Sequence, residues 1–238
     1  MKIKRNELIR LIETYLNEED KQGKYAVYFA ARNISGNQDI SWMPEEMKAG
    51  HAWVMVKKPG EGITSYSGKS GIIFTASDFL KRYFLGRDLD IDEIVNKVIQ
   101  LHRDGKIPEE ELKDALANAD WKSLEKRKNW DSDTFEVGNQ SGNYLIQVMP
   151  RGDDTQEEVK AAVERVERAF ESYNENVPYD PLPGTKSGNN EARNSNSFAY
   201  TLLRHALGTP KKLYDRIGKP GMELPGFDLI VSGMRSKK

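Results

Sequence analysis

Short apolar runs, separated by polar and turn residues, recur in the first third of the chain. Aromatic and β-branched residues fill residues 24–32 and 51–58, and the turn PGEG leads from the second segment into ITSYSG and GIIF. Such runs, bounded by Gly and Pro, are typical of strands connected by tight turns. We expect these segments to form a meander with a loop over residues 33–50. A further strand is expected at NYLIQVMP, residues 143–150.

Three other segments have the spacing of amphipathic helices. The first covers residues 1–20, the second begins at a capping box formed by Thr155 and Glu158, and the third covers residues 195–207, closed by a following Gly and Pro. The stripe expected to be buried in the second helix consists of Val159, Ala162, Val163, Val166, Ala169 and Phe170. The apolar residues that recur at helical spacing in the third are Phe198, Ala199, Leu202, Leu203, Ala206 and Leu207.

Between residues 77 and 130 the pattern becomes charged and helical. In DIDEIVNKVIQLHRDGK and IPEEELKDALANA the first turns are acidic, Gly105 is a helix stop, and Pro108 is near a helix start. We interpret this stretch as a helical insertion that serves as a lid or a partner surface. The expected fold class is α+β, a single domain over residues 1–238 in which a small antiparallel sheet packs against helices and residues 77–130 form the insertion.

The composition narrows the possible functions. The chain has 238 residues, of which 37% are hydrophobic and 31% charged, with a net charge of -1. Such a chain can bury a core, and it lacks the basic excess that binding to nucleic acid or anionic membranes usually requires. Cysteine is absent, which excludes disulfides and cysteine-ligated metals, and no histidine and carboxylate spacing indicates a metal site. We expect no cofactor.

The sequence also bears on location. No apolar run is as long as a membrane span, and the N-terminal segment lacks the unbroken apolar core of a signal peptide. We expect synthesis in the cytoplasm and no transmembrane segment. Any work outside the producing cell would then depend on a specialised secretion system that delivers the protein to a target cell or to the periplasm.

The stretch NNEARNSNSFAYTLLRHAL, residues 189–207, passes from a polar run into an apolar helix. Ser195 lies at the start of this helix, where backbone N–H groups lack partners and the helix dipole is positive. A nucleophile in this position is activated, and an oxyanion formed by its attack meets hydrogen-bond donors. Asn and Ser are also preferred helix caps, so simple capping is the alternative interpretation.

A serine or cysteine nucleophile needs a base, and the chain has three histidines. His102 falls late in a charged helix, and His205 lies almost three turns along the same helix as Ser195, too far to reach it. His51 differs because it follows a glycine and opens a mostly apolar strand. It is our candidate base, and an ordinary histidine at a strand end is the alternative.

GHAWVMV, followed far downstream by RNSNSFAYTLL, resembles the circularly permuted papain-like hydrolases and transferases, which are relatives of the NlpC-type peptidases and of the lecithin:retinol acyltransferase group. In that family the histidine strand precedes the nucleophile helix, which begins with a pattern like Asn-Cys-x-Ser/Thr-Phe-Val/Ala. Residues 194 and 196–199 match this pattern, and Ser195 stands where the cysteine is expected.

The resemblance implies a thiol-type amide hydrolase in which His51 takes the proton from residue 195 and an acyl-enzyme forms. It implies a peptidoglycan peptide as the leading substrate, as in bacterial toxins injected by contact-dependent secretion, which travel with immunity proteins. It also implies a third, orienting residue on the strand beside the histidine. The candidates there are Thr64, Ser65, Tyr66 and Ser67.

Serine at position 195 leaves several interpretations open. A site built to activate a thiol does little for a hydroxyl, whose pKa is much higher. Either an original cysteine has been replaced, or the protein uses serine natively or has lost catalysis. An acyltransferase, a deamidase or protease that modifies other proteins, and a non-catalytic binding module are the alternatives to the hydrolase.

Overall fold

A computed structural model describes residues 23–33, 50–70, 72–74, 97, 100–108, 110, 119–121, 123–129, 143–174, 176–179, 191–218, 224 and 226–234. Within these residues the fold is α+β, as expected, and consists of a five-stranded antiparallel sheet packed against helices. The predicted helix over residues 1–20 lies outside the described residues, as do residues 34–49 of the predicted loop. The permuted papain-like arrangement stays a prediction.

The strands of the main sheet lie in the spatial order β6-β3-β2-β1-β7, and every neighbouring pair is antiparallel. In chain order, the strands of the described residues are β1 (Ala26–Asn33), β2 (Gly50–Lys58), β3 (Gly62–Lys69), β4 (Ile72–Phe74), β5 (Ala119–Trp121), β6 (Glu125–Lys128) and β7 (Asn143–Met149). Because β1, β2 and β3 are neighbours in space as well as in sequence, the predicted meander is confirmed for these three strands. The strand predicted at residues 143–150 is confirmed as β7.

Two parts of the chain differ from the prediction. β4, expected to continue the meander, instead pairs with β5 in a separate two-stranded sheet. The stretch predicted to be helical up to residue 130 contains helical residues at 97, 100–103 and 110, but from residue 119 onward it forms β5 and β6. β6 has the sequence EKRK, which has no apolar alternation because it lies at a sheet edge, so the sequence gives no strand signal there.

Three of the described helices follow the sheet. They are α1 (Gln156–Ser172), α2 (Ser195–Leu207) and α3 (Pro210–Ile217). The capping box of α1 is formed by Thr155 and Glu158, and the six residues predicted for its buried stripe are the buried ones. Pro210, predicted only as a stop signal for α2, also begins α3, with Thr209 as its N-cap. None of the described helices is long and apolar enough to cross a membrane.

Alternation along β2 gives the main sheet two different faces. Ala52, Val54 and Val56 belong to the hydrophobic core that also contains the buried residues of α1 and α2. We call this side the helix face. His51 and Trp53 point to the opposite side, here called the second face, because successive side chains of a strand alternate. Both are buried, so the second face is covered at these two residues.

The sheet and α2 approach each other closely at Gly68 of β3. A Cβ atom at this position would stand 2.8 Å from Cβ and Cγ of Phe198 and 2.8 Å from Cδ1 of Leu124. Real Cβ contacts essentially never come this close, so the packing of α2 on β3 depends on a residue without a side chain. This contact fixes the first turn of α2 over the end of β3.

Candidate functional site

The first turn of α2 is capped by Asn194 and Ser197. The Asn194 side chain accepts a hydrogen bond from the Ser197 amide at 3.0 Å, and the Ser197 hydroxyl accepts one from the Asn194 amide at 3.4 Å. This reciprocal pair is a capping box, with asparagine and serine in its two positions. The prediction that the polar cluster caps the helix is therefore confirmed for these two residues.

Ser195 takes no part in this cap. It is the first residue of α2, and only 5% of its surface is exposed. Among the described residues, neither its hydroxyl nor its backbone N–H forms a hydrogen bond. The site thus combines a buried hydroxyl that the cap does not need with an amide donor at the positive end of a helix.

Ser195 and His51 lie toward the same end of the sheet. Ser195 is one turn before Phe198, on the same side of α2, and Phe198 packs over Gly68 near the end of β3. Because Val54 of β2 pairs with Tyr66 of β3 in an antiparallel register, the end of β3 lies beside the beginning of β2. The fold therefore brings the two predicted site residues to one end of the molecule although they are distant in sequence.

The side chain of His51 nevertheless lies on the second face. Its ring stacks on that of Trp53, with ring centroids 5.5 Å apart and an interplanar angle of 24°, and only 2% of the residue is exposed. In the part of the chain that the structure describes, no hydrogen bond joins His51 to Ser195. A proton transfer between these two residues would require the imidazole to turn around the end of β2.

The four candidates for an orienting residue divide between the two faces. Tyr66 lies on the helix face, where its hydroxyl donates to Glu167 of α1 at 3.1 Å; burial, reinforced by the Glu167 carboxylate, raises the pKa of this hydroxyl. Thr64 shares that face by alternation, whereas Ser65 and Ser67 share the face of His51. Ser67 is fully buried, and its hydroxyl has no hydrogen-bond partner among the described residues.

The other two histidines lie in different surroundings. His205 is near the end of α2, where burial, followed by the charges of Arg204 and Arg165, lowers its pKa. Arg165 of α1 donates to the backbone carbonyls of His205 and Ala206, at 2.8 and 2.7 Å, and so ties α1 to the last turn of α2. His102 lies in the short helical stretch over residues 100–103.

The segment over residues 226–234, which no sequence pattern predicted, packs against the side of α2 that faces away from Ser195. The Ser197 hydroxyl donates to the Gly226 carbonyl at 2.8 Å, and the Thr201 hydroxyl accepts from the Val231 amide at 2.9 Å. No local pattern predicts these contacts, since they join residues 29 and 30 positions apart. These two hydrogen bonds hold the first two turns of α2 against the segment over residues 226–234.

Comparisons of the chain with protein-family models, with curated proteins and with solved structures found no match. The similarity to permuted papain-like hydrolases therefore rests on the histidine strand and the pattern at the start of α2. Among the described residues, no group of three or more His, Cys, Asp or Glu side chains could hold a metal ion.

Proposed function

We propose that the chain has the framework of a thiol-type amide hydrolase of the permuted papain-like kind, a bacterial effector or toxin directed at peptidoglycan peptides, with serine at the nucleophile position. The observation that carries the proposal is the capping of α2 by Asn194 and Ser197. Because the cap does not use Ser195, helix capping does not account for this residue. A buried hydroxyl with an unbonded amide beside it suits the attack on a carbonyl group and the binding of the resulting oxyanion.

In the proposed reaction the His51 imidazole first turns around the end of β2; the atom at position 195 then attacks the amide carbonyl carbon, while His51 takes its proton. The amide N–H of residue 195 donates to the oxyanion of the tetrahedral intermediate. When the C–N bond breaks, the imidazolium returns the proton to the leaving amine, and water then hydrolyses the acyl-enzyme. A serine should perform this reaction poorly, since the helix terminus and a single imidazole activate a thiol far better than a hydroxyl.

A non-catalytic binding module is the second candidate. The observation that favours it is the stacking of His51 on Trp53, on the face of the sheet opposite α2. In that case Ser195 would only fill space at the start of α2, and the roles of Ser195 and His51 would be independent of each other.

A thiol introduced by Ser195→Cys distinguishes the two candidates. The variant should release new amine ends from purified peptidoglycan, and Ser195→Cys combined with His51→Ala should not. The matched control is Ser232→Cys, which places a thiol at an exposed serine distant in sequence from α2. Its digest should be indistinguishable from that of the unsubstituted protein.

Alkylation of the same variants by iodoacetamide over a range of pH gives a readout that needs no substrate. The thiol at position 195 should react at lower pH than the thiol at position 232, because the helix terminus and an imidazole stabilise a thiolate. The hydrolase proposal fails if the two thiols have the same pH profile and no amine ends appear. A lowered thiol pKa without cleavage of peptidoglycan would retain the nucleophile but reject this substrate.

A further inference from the structure

The guanidinium group of Arg204 is partly buried but has no polar partner. Its Nε and Nη1 atoms are buried, and among the described residues the side chain forms neither a hydrogen bond nor an ion pair. Other partly buried arginines have partners: Arg165 and Arg193 donate to backbone carbonyls, and Arg216 pairs with Asp154. Because a desolvated charge without a partner weakens the folded state, the position of Arg204 needs an explanation.

The end of α2 does not need the Arg204 side chain as a cap. A cation in the last turn of a helix can bond the free backbone carbonyls there. In α2 the Arg204 carbonyl accepts a hydrogen bond from the Gly208 amide at 2.9 Å. The carbonyls of His205 and Ala206 accept from Arg165 of α1. These three carbonyls are satisfied without the Arg204 guanidinium, so capping does not account for it.

The charge of Arg204 is not balanced by the residues around it. No aspartate or glutamate occurs between residues 194 and 214. Asp228, in the segment that packs against α2, is exposed and forms no ion pair with Arg204. Burial, followed by the charges of Arg204 and Arg165, lowers the pKa of His205, and no carboxylate of the described residues opposes this shift. The end of α2 is therefore a region of uncompensated positive charge.

Arg204 projects from a junction of α2, α3 and the following segment. It lies one turn after Tyr200 and Thr201, on the same side of α2. The Tyr200 ring packs against that of Tyr214 of α3, and the Thr201 hydroxyl accepts from the Val231 amide. The third guanidinium nitrogen, Nη2, is not among the buried atoms and forms no hydrogen bond, so the group reaches the surface there. The packing thus holds one side of the guanidinium and leaves the other accessible.

We propose that Arg204 is the centre of a binding site for an oxyanion, the carboxylate or phosphate group of a ligand. A guanidinium is always charged, and its planar fork donates parallel hydrogen bonds to either group. Because packing already holds part of the side chain, binding costs less conformational entropy. Arg204 lies about two and a half turns after Ser195, on the opposite side of α2. The proposed oxyanion site is therefore independent of the proposed hydrolase site.

Urea denaturation of the full chain tests the proposal, with sodium phosphate and sodium acetate as probes and chloride to keep the ionic strength constant. At least one probe should raise the urea midpoint of the unsubstituted chain and saturate at about 1–10 mM. Stabilisation by phosphate alone would identify a phosphate site, and stabilisation by acetate a carboxylate site. Arg204→Met should abolish this response. The matched control is Arg168→Met, at an exposed arginine of α1, which should respond like the unsubstituted chain.

The stability of Arg204→Met in chloride separates a binding role from a structural one. If the unpaired charge is kept for a ligand, its removal should leave the urea midpoint in chloride unchanged or higher. A side chain that only supported the fold would give a lower midpoint when it is replaced. A clear loss of stability in chloride would therefore overturn the proposal.

The imidazole of His205 gives a second readout, by NMR titration of its ring protons. Since the charge of Arg204 helps to lower the pKa of His205, an anion bound to Arg204 should raise this pKa. In Arg204→Met the pKa of His205 should already be higher in chloride and should not change with either probe. The proposal is also overturned if neither probe acts below about 10 mM, or if the pKa of His205 responds equally in Arg204→Met.

Discussion

Both faces of the main sheet contain buried residues, but the polar ones lie mainly on the second face. On the helix face, Val54 and Val56 pack into one apolar core with α1 and α2. On the second face, His51, Lys57 and Ser67 are buried beside Trp53. The apolar face can stabilise the fold through burial alone, whereas buried polar groups weaken stability unless each is paired. We infer that the burial of apolar side chains on the helix face contributes most to the stability of the fold.

Removing an aromatic ring from the helix face should have the largest effect. Phe198 is fully buried between Gly68 of β3 and the rings of Phe170 and Tyr173. Phe198→Ala should lower the free energy of unfolding by about 3–5 kcal/mol, which urea denaturation followed by circular dichroism would measure. Tyr214→Ala, at an aromatic residue that is 44% exposed, is the control and should cost much less. Equal losses would contradict the assignment of stability to the helix face.

A pair of substitutions in β3 compares the two faces at adjacent positions. Gly68→Ala should destabilise the protein by about 1–3 kcal/mol, because the new methyl group overlaps Phe198 and Leu124. Ser67→Ala should instead be neutral or stabilise by about 1 kcal/mol, since it removes a buried hydroxyl that has no partner among the described residues. The urea midpoints of the two variants and of the unsubstituted protein, measured under the same conditions, test this comparison. A strongly destabilised Ser67→Ala protein would show that the second face also maintains the fold.

The start of α2 allows a comparison between the N-cap residue, Asn194, and the proposed nucleophile position, Ser195. Asn194→Ala should lower the free energy of unfolding by about 0.5–2 kcal/mol, as expected for the loss of an N-cap. Ser195→Ala should cost less than this, because the Ser195 hydroxyl forms no hydrogen bond among the described residues. Thermal unfolding of both variants gives the ranking. If Ser195→Ala proved the more harmful, Ser195 would have a structural role that the cap does not explain.

The smallest effect is expected when acid protonates the Asp154 carboxylate, which pairs with Arg216 of α3. A hydrogen bond from Arg216 holds the pKa of the Asp154 carboxyl below its ordinary value of 3.8. Since the pKa is lowered on folding, the stabilisation is complete above pH ~3.8 and is lost as the pH falls through the folded-state pKa. The difference in urea midpoint between the unsubstituted protein and Asp154→Asn should therefore be largest at neutral pH and shrink below pH ~3.8.

At pH 7 the neighbouring exposed residue supplies the control, since Asp153→Asn removes the same charge without breaking the contact with Arg216. Its urea midpoint should match that of the unsubstituted protein. A loss as large as that of Asp154→Asn would mean that net charge, and not the pair with Arg216, stabilises this edge.

The sequence predicted the elements whose signals are local. The capping box at Thr155, the buried stripe of α1 and the first residue of α2 all follow from spacing within one turn or a few turns. β6 was missed because an edge strand of four charged residues has no apolar alternation, and α3 was missed because Pro210 was interpreted only as a stop signal.

The candidate site was predictable only in part. Sequence placed Ser195 at a helix start and His51 at a strand start, and both positions are confirmed. The face to which His51 points depends on the strand register, and a shift of one residue would reverse it. That register is set by contacts of β2 with β1 and β3, which no local pattern reveals.

The contacts of residues 226–231 with α2 also affect how the protein is made. A ribosome synthesises these residues only after α2 itself, since Gly226 and Val231 come 29 and 30 positions after their partners Ser197 and Thr201. Ser197 and Thr201 of α2 thus lack these partners until the chain has been translated past residue 231. A nascent chain shortened before residue 226 would therefore lack both of these contacts with α2.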